Sequence, residues 1–128
     1  MAATLRGMHL ERAEKEGNMP RVLEQEINDL HAGVCAGLAD PKRIMILYEL
    51  ADGSKNVTDL ARAIGLAQPL VSRHLKVLRE RGMVLAERRG AAVDYRLGDQ
   101  RLIEALDLLR AFLRDQLARN IQLVERLT

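Results

Sequence analysis

The sequence predicts a mainly α-helical domain that carries one small β-hairpin. Apolar residues recur at gaps of three and four through most of the 128-residue chain, as they do along one face of a helix. Residues 83–97 instead alternate between apolar and polar side chains in two arms, separated by Arg89-Gly90-Ala91, which is typical of a hairpin. Aromatic residues make up only 2% of the chain, so the predicted core is aliphatic.

The composition favours a soluble, cytoplasmic protein. Hydrophobic residues make up 48% of the chain, which suits one domain with one core. No apolar run approaches the roughly 20 residues of a membrane span, and the N-terminal stretch has no secretory-signal pattern. The single cysteine, Cys35, cannot form an internal disulfide.

The first elements are predicted from breakers and apolar spacing. The first 19 residues are polar and interrupted by glycines, so we expect a flexible arm at 1–19 and one domain over 20–128. A first helix follows Pro20, with its apolar stripe at Leu23, Ile27, Leu30, Val34 and Leu38. Asp40-Pro41 has the N-cap and first-turn residues of a second helix, which is apolar nearly all round and should be central to the core.

The third and fourth helices are predicted to lie close together in the chain. Asn56 or Thr58 caps the third helix, and Gly65 ends it. Only Gly65-Leu66-Ala67 separates it from the fourth helix, which Gly82 closes. Two helices joined by so short a turn must cross steeply, as in a helix-turn-helix.

A long last helix is predicted after Asp99, which is placed to cap it. Its apolar residues form one stripe: Leu102, Leu106, Leu109, Leu113, Leu117, Ile121 and Val124. This stripe is too long to be covered by the core of one small domain. Its surplus apolar surface predicts a second chain.

Positive charge is concentrated in the middle of the sequence. Residues 55–98 contain nine Lys/Arg and four Asp/Glu, a net charge of +5, whereas residues 1–54 carry −3 and residues 99–128 are balanced. Basicity confined to one segment is typical of a surface that binds a polyanion. With the hairpin following the helix pair, the order of elements is that of a winged helix-turn-helix.

The polar face of the fourth helix is the predicted DNA contact. Gln68 can read adenine, Arg73 can read guanine, and Ser72 can bond a base or a phosphate. The other expected contacts are with phosphates or the minor groove. They are His74, Lys76 and Arg79 on this helix and Arg88, Arg89 and Arg96 on the hairpin, with His74 equally suited to helix packing.

Three other interpretations compete with DNA binding. The basic face could be an ordinary solvated helix face beside an ordinary hairpin. The chain could be a protein-interaction module that dimerises through its last helix and has incidental affinity for nucleic acid, but this does not explain the basic hairpin. An enzyme is not expected, because no nucleophile with a base and no paired carboxylates are grouped in the sequence.

Three segments of the chain are "LADPKRIMIL", "VSRHLKVLRERGMV" and "DYRL". In their order and spacing they resemble the ArsR/SmtB family of bacterial winged-helix repressors. The resemblance covers about residues 20–120. It implies a homodimer formed by the first and last helices, here through Leu23, Ile27, Leu30, Leu109, Leu113 and Leu117. It also implies repression of an inverted-repeat operator that a small inducer of unknown identity relieves. Pro69 stands where the family often has a serine, which removes one DNA contact.

The familiar metal sites of that family lack their ligands in this sequence. The third helix, "NVTDLARAIG", has no cysteine, and the last helix has no histidine. Soft and borderline metals need thiolate or imidazole ligands. His31 and Cys35 remain, four residues apart on the first helix, and two chains could supply a Cys2His2 set. Cys35 could also be a redox switch or, as is usual for a lone cysteine in an apolar helix, a small buried apolar residue.

Overall fold

A computed structural model describes residues 19–127, so the predicted arm lies almost wholly outside the described residues. The chain divides into two compact units, Met1–Asp40 and Pro41–Thr128. In the first unit, helix α1 spans Arg21–Leu30 and continues as a π-helical turn over His31–Cys35. The N–H of Ala36 donates to the carbonyl of His31 at 2.9 Å. Gly33 lies inside this turn, and its weak preference for the α-helix lowers the cost of widening it.

The second unit confirms the predicted fold class, with four helices and a small sheet among its described residues. Its elements are α2 (Pro41–Ala51), β1 (Lys55–Asn56), α3 (Val57–Ile64), α4 (Gln68–Glu80), β2 (Val84–Arg89), β3 (Ala92–Leu97) and α5 (Arg101–Leu127). The sheet is antiparallel in the order β1-β3-β2. The hairpin pairs Val84 with Leu97 at its base and Arg89 with Ala92 at its tip.

Strand β1 is the one element of this unit that the sequence did not predict. It is two residues long and pairs Lys55 with Tyr95. Lys55 Nζ donates to the carbonyl of Glu49 at 2.7 Å, which ties the strand to the end of α2. The sheet therefore has three strands, and β1 joins the middle of β3 to the helical part of the unit.

The core is aliphatic, as predicted. Helix α2 contributes Ile46, Leu47 and Leu50, and α4 contributes Val71, Leu75 and Leu78, each no more than 2% exposed. Burial of one such side chain stabilises the fold by about 1.5–3 kcal/mol. This packing fixes which side of α4 faces inward and which faces solvent.

Local capping sets the helix boundaries where the sequence placed them. Asn56 is the N-cap of α3, because its Oδ1 accepts the N–H of Asp59 at 2.8 Å. Gly65 ends α3 in the left-handed conformation, with φ +77°. Asp99 precedes α5, and its Oδ1 accepts the N–H of Arg101 at 2.8 Å.

Helix α5 leaves most of its apolar stripe exposed. It has 27 residues, about 40 Å of helix, but only Ile103 and Leu106 are buried. The residues expected at the dimer contact are Leu109, Leu113 and Leu117, which are more than half exposed, and on α1 Ile27 and Leu30, which are exposed, with Leu23 half-buried. None of the described helices has the length and apolar character to cross a membrane.

Candidate nucleic-acid interface

The turn between α3 and α4 sets the direction of the candidate recognition helix. The N–H groups of Gly65 and Leu66 both donate to the carbonyl of Ala61, at 2.8 and 3.0 Å. These bonds close α3 and turn the chain within three residues. Pro69 then lies in the first turn of α4, where its missing N–H costs no hydrogen bond.

Helix α4 presents one apolar face and one basic face. Its apolar face packs into the core, whereas five of the side chains predicted to contact DNA are exposed on the other side. These are Gln68, Ser72, Arg73, Lys76 and Arg79. No ion pair engages Arg73, Lys76 or Arg79 within the described chain, so their charges and hydrogen-bond donors stay available to an external polyanion.

His74 does not lie on the basic face, which corrects its inclusion among the DNA contacts. Its side chain is only 8% exposed, and its Nδ1 lies 3.5 Å from Nη1 of Arg43 on α2. The residue is three positions after Val71 and one before Leu75, so the helical period turns it toward the core. It is a packing residue, the other interpretation that the sequence left open.

Thr58 belongs to the site and was missed by sequence reasoning, which considered it only as a cap. Nε2 of Gln68 donates to Oγ1 of Thr58 at 3.2 Å. The bond joins the first turns of α3 and α4. It holds the Gln68 amide while leaving its carbonyl oxygen free to accept from a base edge.

The β2–β3 hairpin supplies a second exposed basic surface. Arg88, Arg89 and Arg96 are all exposed, and Gly90 forms the tip with φ +60°. Nε of Arg89 lies 3.3 Å from Oδ2 of Asp94, so this guanidinium is already paired across the hairpin. No ion pair engages Arg88 or Arg96 in the part of the chain that the structure describes, which makes them the freer cations of the wing.

A polar cluster that the sequence did not predict joins α2 to α5. The hydroxyl of Tyr48 donates to Oδ1 of Asp107 at 2.7 Å, and the guanidinium of Arg110 lies 5.1 Å from the centre of the Tyr48 ring. Burial, together with the hydrogen bond to Asp107, raises the pKa of Tyr48 above its usual value. No short-range signal links residues 59 positions apart.

His31 and Cys35 lie in the π-helical turn of the first unit, and both side chains are exposed. Over residues 19–127 there is no group of three or more His, Cys, Asp or Glu side chains placed to hold a metal ion. One chain therefore offers two ligands here, where a tetrahedral zinc site needs three or four.

Two helices joined by a three-residue turn, followed by a basic β-hairpin, define a winged helix-turn-helix domain. The family described as "Bacterial regulatory protein, arsR family" matches residues 40–85. The regulator NmtR of Mycobacterium tuberculosis is 45% identical over 76 residues, 59% of this chain and 63% of NmtR. The biofilm growth-associated repressor of Xylella fastidiosa is 32% identical over 87 residues, 68% of this chain and 75% of the repressor.

A solved structure agrees with these sequence matches. The homodimeric winged helix-turn-helix DNA-binding domain of a possible ArsR-family transcriptional regulator from Mycobacterium bovis is 29% identical, with a TM-score of 0.65. The match covers 73% of this chain and 87% of that domain. The chain belongs to the ArsR family, as its sequence motifs indicated. It spans 63% of the length of NmtR, the first of these curated relatives.

Proposed function

We propose that the chain is a homodimeric, sequence-specific DNA-binding repressor that a small inducer releases from its operator. The observation that carries this proposal is the exposed face of α4, where Arg73, Lys76 and Arg79 have no acidic partner among the described residues. Solvent-exposed cations without counter-charges on a helix of this size match the phosphates and base edges of a major groove. Such a repressor acts in the cytoplasm, where bacterial DNA lies.

Different residues of the surface take different parts in this binding. The first turns of α4 enter the major groove, where Gln68 and Arg73 read base edges and Ser72 bonds a base or a phosphate. Lys76 and Arg79, further along the helix, neutralise phosphates and position the protein without reading sequence. On the hairpin, Arg88 and Arg96 contact the backbone or the minor groove, and Arg89 joins them when it leaves Asp94.

The exposed stripe of α5 supports the dimer. Leu109, Leu113 and Leu117 are each more than half exposed, although apolar patches of this length are rare on monomers. A second copy of the chain would cover this stripe together with the apolar side of α1. The homodimeric relative from Mycobacterium bovis supports a second copy of the chain as the partner. Two recognition helices related by a two-fold axis then bind the two halves of an inverted repeat, whose centres lie one turn of the DNA double helix apart.

One DNA-binding experiment distinguishes the repressor from the alternative function, an interaction module with incidental affinity for nucleic acid. Arg73→Ala should lose about 1–3 kcal/mol of operator affinity and relax the preference at one base position. Lys76→Ala should weaken binding to all DNA sequences and flatten the salt dependence. Arg114→Ala, an exposed change on α5, is the matched control and should bind like the parent.

The DNA affinity is measured by fluorescence anisotropy over a range of salt concentrations. The two DNAs are the promoter of the gene that encodes this chain, called promoter DNA below, and a scrambled sequence of the same length. Equal loss in all three variants, or no difference between promoter and scrambled DNA for the parent, contradicts the repressor and favours the interaction module. Unchanged binding by Arg73→Ala and Lys76→Ala contradicts the placement of α4 in the groove.

A metal-dependent release would use His31 and Cys35, with two copies of the chain supplying the four ligands of a tetrahedral site. The test is release of promoter DNA by zinc, cadmium or arsenite in the parent and in Cys35→Ser. Release that is lost in the variant assigns the response to this thiol. Release that survives in Cys35→Ser excludes the route.

A further inference from the structure

A cavity lies between α2, α3 and α5, away from the candidate DNA surface. Its volume is about 530 Å³, and it is lined by Ile44, Met45, Tyr48, Glu49, Ala63, Ile64 and Arg110. This size lies in the range of sites that bind small molecules, which are typically apolar clefts with a few placed polar groups. Four of the seven lining residues are aliphatic or Met, and three can form hydrogen bonds.

The two charged groups of the cavity each keep unused hydrogen-bonding capacity. Arg110 uses Nη1 for its contacts with Tyr48 and Asp107, at 3.4 and 3.5 Å, which leaves the Nε and Nη2 donors for another partner. Glu49 Oε2 lies 3.6 Å from Nζ of Lys55, which leaves Oε1 as an acceptor. Asp107 and Lys55 do not line the cavity. A ligand therefore meets one cation and one anion.

We propose that this cavity binds a small zwitterion with an apolar body, of the amino-acid type. Its carboxylate binds the planar donor fork of Arg110, and its ammonium binds the carboxylate of Glu49. Its apolar body packs on Ile44, Met45 and Ile64, whose surface near the cavity is then removed from water. The role of this molecule as the inducer rests on the proposed repressor function, whereas its binding in the cavity does not.

The cavity lies next to the turn that leads into the recognition helix, so a bound ligand can influence the position of that helix. Ala63 and Ile64 are the last residues of α3, and the three-residue turn after them leads directly into α4. On the other side, Arg110 lies on α5 next to the exposed stripe and ties that helix to Tyr48 of α2. A ligand that bridges Glu49 of α2 and Arg110 of α5 favours the arrangement of these helices that holds both of its charged groups, which changes the spacing of the two recognition helices in the dimer.

The direct test is calorimetric titration of the full chain, without DNA, with three matched probes. L-Phenylalanine carries both charges, 3-phenylpropionate lacks the ammonium, and 2-phenylethylamine lacks the carboxylate. We expect phenylalanine to bind at least tenfold more tightly than either of the others. Binding by 3-phenylpropionate or 2-phenylethylamine as tight as that of phenylalanine overturns the zwitterion, and no binding by phenylalanine overturns the site.

Variants then assign the binding to the cavity. Arg110→Gln and Glu49→Gln should each weaken phenylalanine binding by tenfold or more, whereas Arg114→Gln, one turn further along α5, should leave it unchanged. Thermal unfolding of each variant identifies any that fails to fold, and the other of the pair then decides. Equal binding in a folded Arg110→Gln or Glu49→Gln protein and in the parent overturns the assignment.

A separate measurement distinguishes the ligand site from the repressor function. Addition of phenylalanine to the parent bound to promoter DNA should lower its affinity for DNA, and Arg110→Gln should abolish this effect. Ligand binding without an effect on DNA affinity overturns the inducer role and leaves the DNA-binding proposal intact. Failure of the parent to bind DNA at all contradicts the repressor and leaves the calorimetric result valid.

Discussion

At the scale of single residues, Gly98 follows β3 at a point where two backbone segments touch. Its N–H donates to the carbonyl of Met83 at 2.9 Å. A Cβ atom added here would lie 2.4 Å from the carbonyl oxygen of Gly82, and backbone cannot move aside as a flexible side chain does. We therefore expect Gly98→Ala to cost about 1–3 kcal/mol in the free energy of unfolding.

Chemical denaturation measures this cost. The matched control is Gly33→Ala, since a Cβ there meets nothing within 4 Å. If Gly98→Ala unfolds at the same denaturant concentration as the parent, the close approach of the two segments is wrong.

Tyr48 gives a second residue-scale prediction, at alkaline pH. Its pKa is raised by burial and by the bond to Asp107, so the protonated phenol contributes stability that is fully present below the ordinary value of 10.0. This contribution is lost as the pH rises through the higher pKa of the folded state. Tyr48→Phe should cost about 0.5–1.5 kcal/mol at neutral pH, and less above the pKa.

The measurement is the free energy of unfolding from pH 8 to 11 in the parent, Tyr48→Phe and Tyr95→Phe, the last being the other tyrosine of the chain. Parallel pH curves for the parent and Tyr48→Phe would show that the hydrogen bond to Asp107 has no energetic effect.

At the scale of elements, the sequence predicted what short-range chemistry determines. Asn56, Gly65 and Asp99 act at helix ends through partners two to four residues away, and a single sequence contains such signals. Strand β1 is two residues long and forms only because β3 lies beside it, so no local pattern announces it. The π-helical turn was not predicted either, because its residues continue the apolar helical pattern of the first helix.

The start of α5 gives a prediction at acid pH. The guanidinium and backbone N–H of Arg101 lower the pKa of Asp99 to about 2. A carboxylate with a lowered pKa stabilises the fold above its unfolded value of about 3.9, and this contribution is lost as the pH falls toward 2. Asp99→Asn and Arg101→Gln should both reduce the fall in the thermal midpoint between pH 4 and 2, measured by circular dichroism.

Salt provides the control, since both partners are exposed and the interaction should weaken at high ionic strength. A variant that follows the parent's acid curve at low salt contradicts the role of this pair at the helix start.

At the scale of the whole molecule, the candidate site was largely predictable because its exposed residues share one helix face and one hairpin. His74 was included among the DNA contacts because it directly follows Ser72 and Arg73 in the sequence, although its spacing from Val71 turns it toward the core, where it is 8% exposed. Thr58 and the Tyr48–Arg110 cluster depend on contacts between elements, at 10 and 62 residues of separation. Only the tertiary structure brings those residues together.

The dimer is tested at Leu113, which is 55% exposed on α5. Leu113→Glu would bury an unpaired charge between two copies of the chain, at a cost of several kcal/mol. Sedimentation should show a monomer for this variant and a dimer for Arg114→Glu, its exposed neighbour. A tight Leu113→Glu dimer would remove this part of α5 from the interface.

The most direct test of the central claim is cleavage of bound DNA from α4 itself. Cys35 is the only cysteine, so a Cys35→Ser, Glu80→Cys chain carries one thiol, on an exposed residue at the end of α4 that has no assigned DNA contact, to which an iron chelate can be attached. Two α4 helices in successive major grooves predict two clusters of cuts on promoter DNA, about 10 base pairs apart. A single cluster or uniform cleavage would contradict the account.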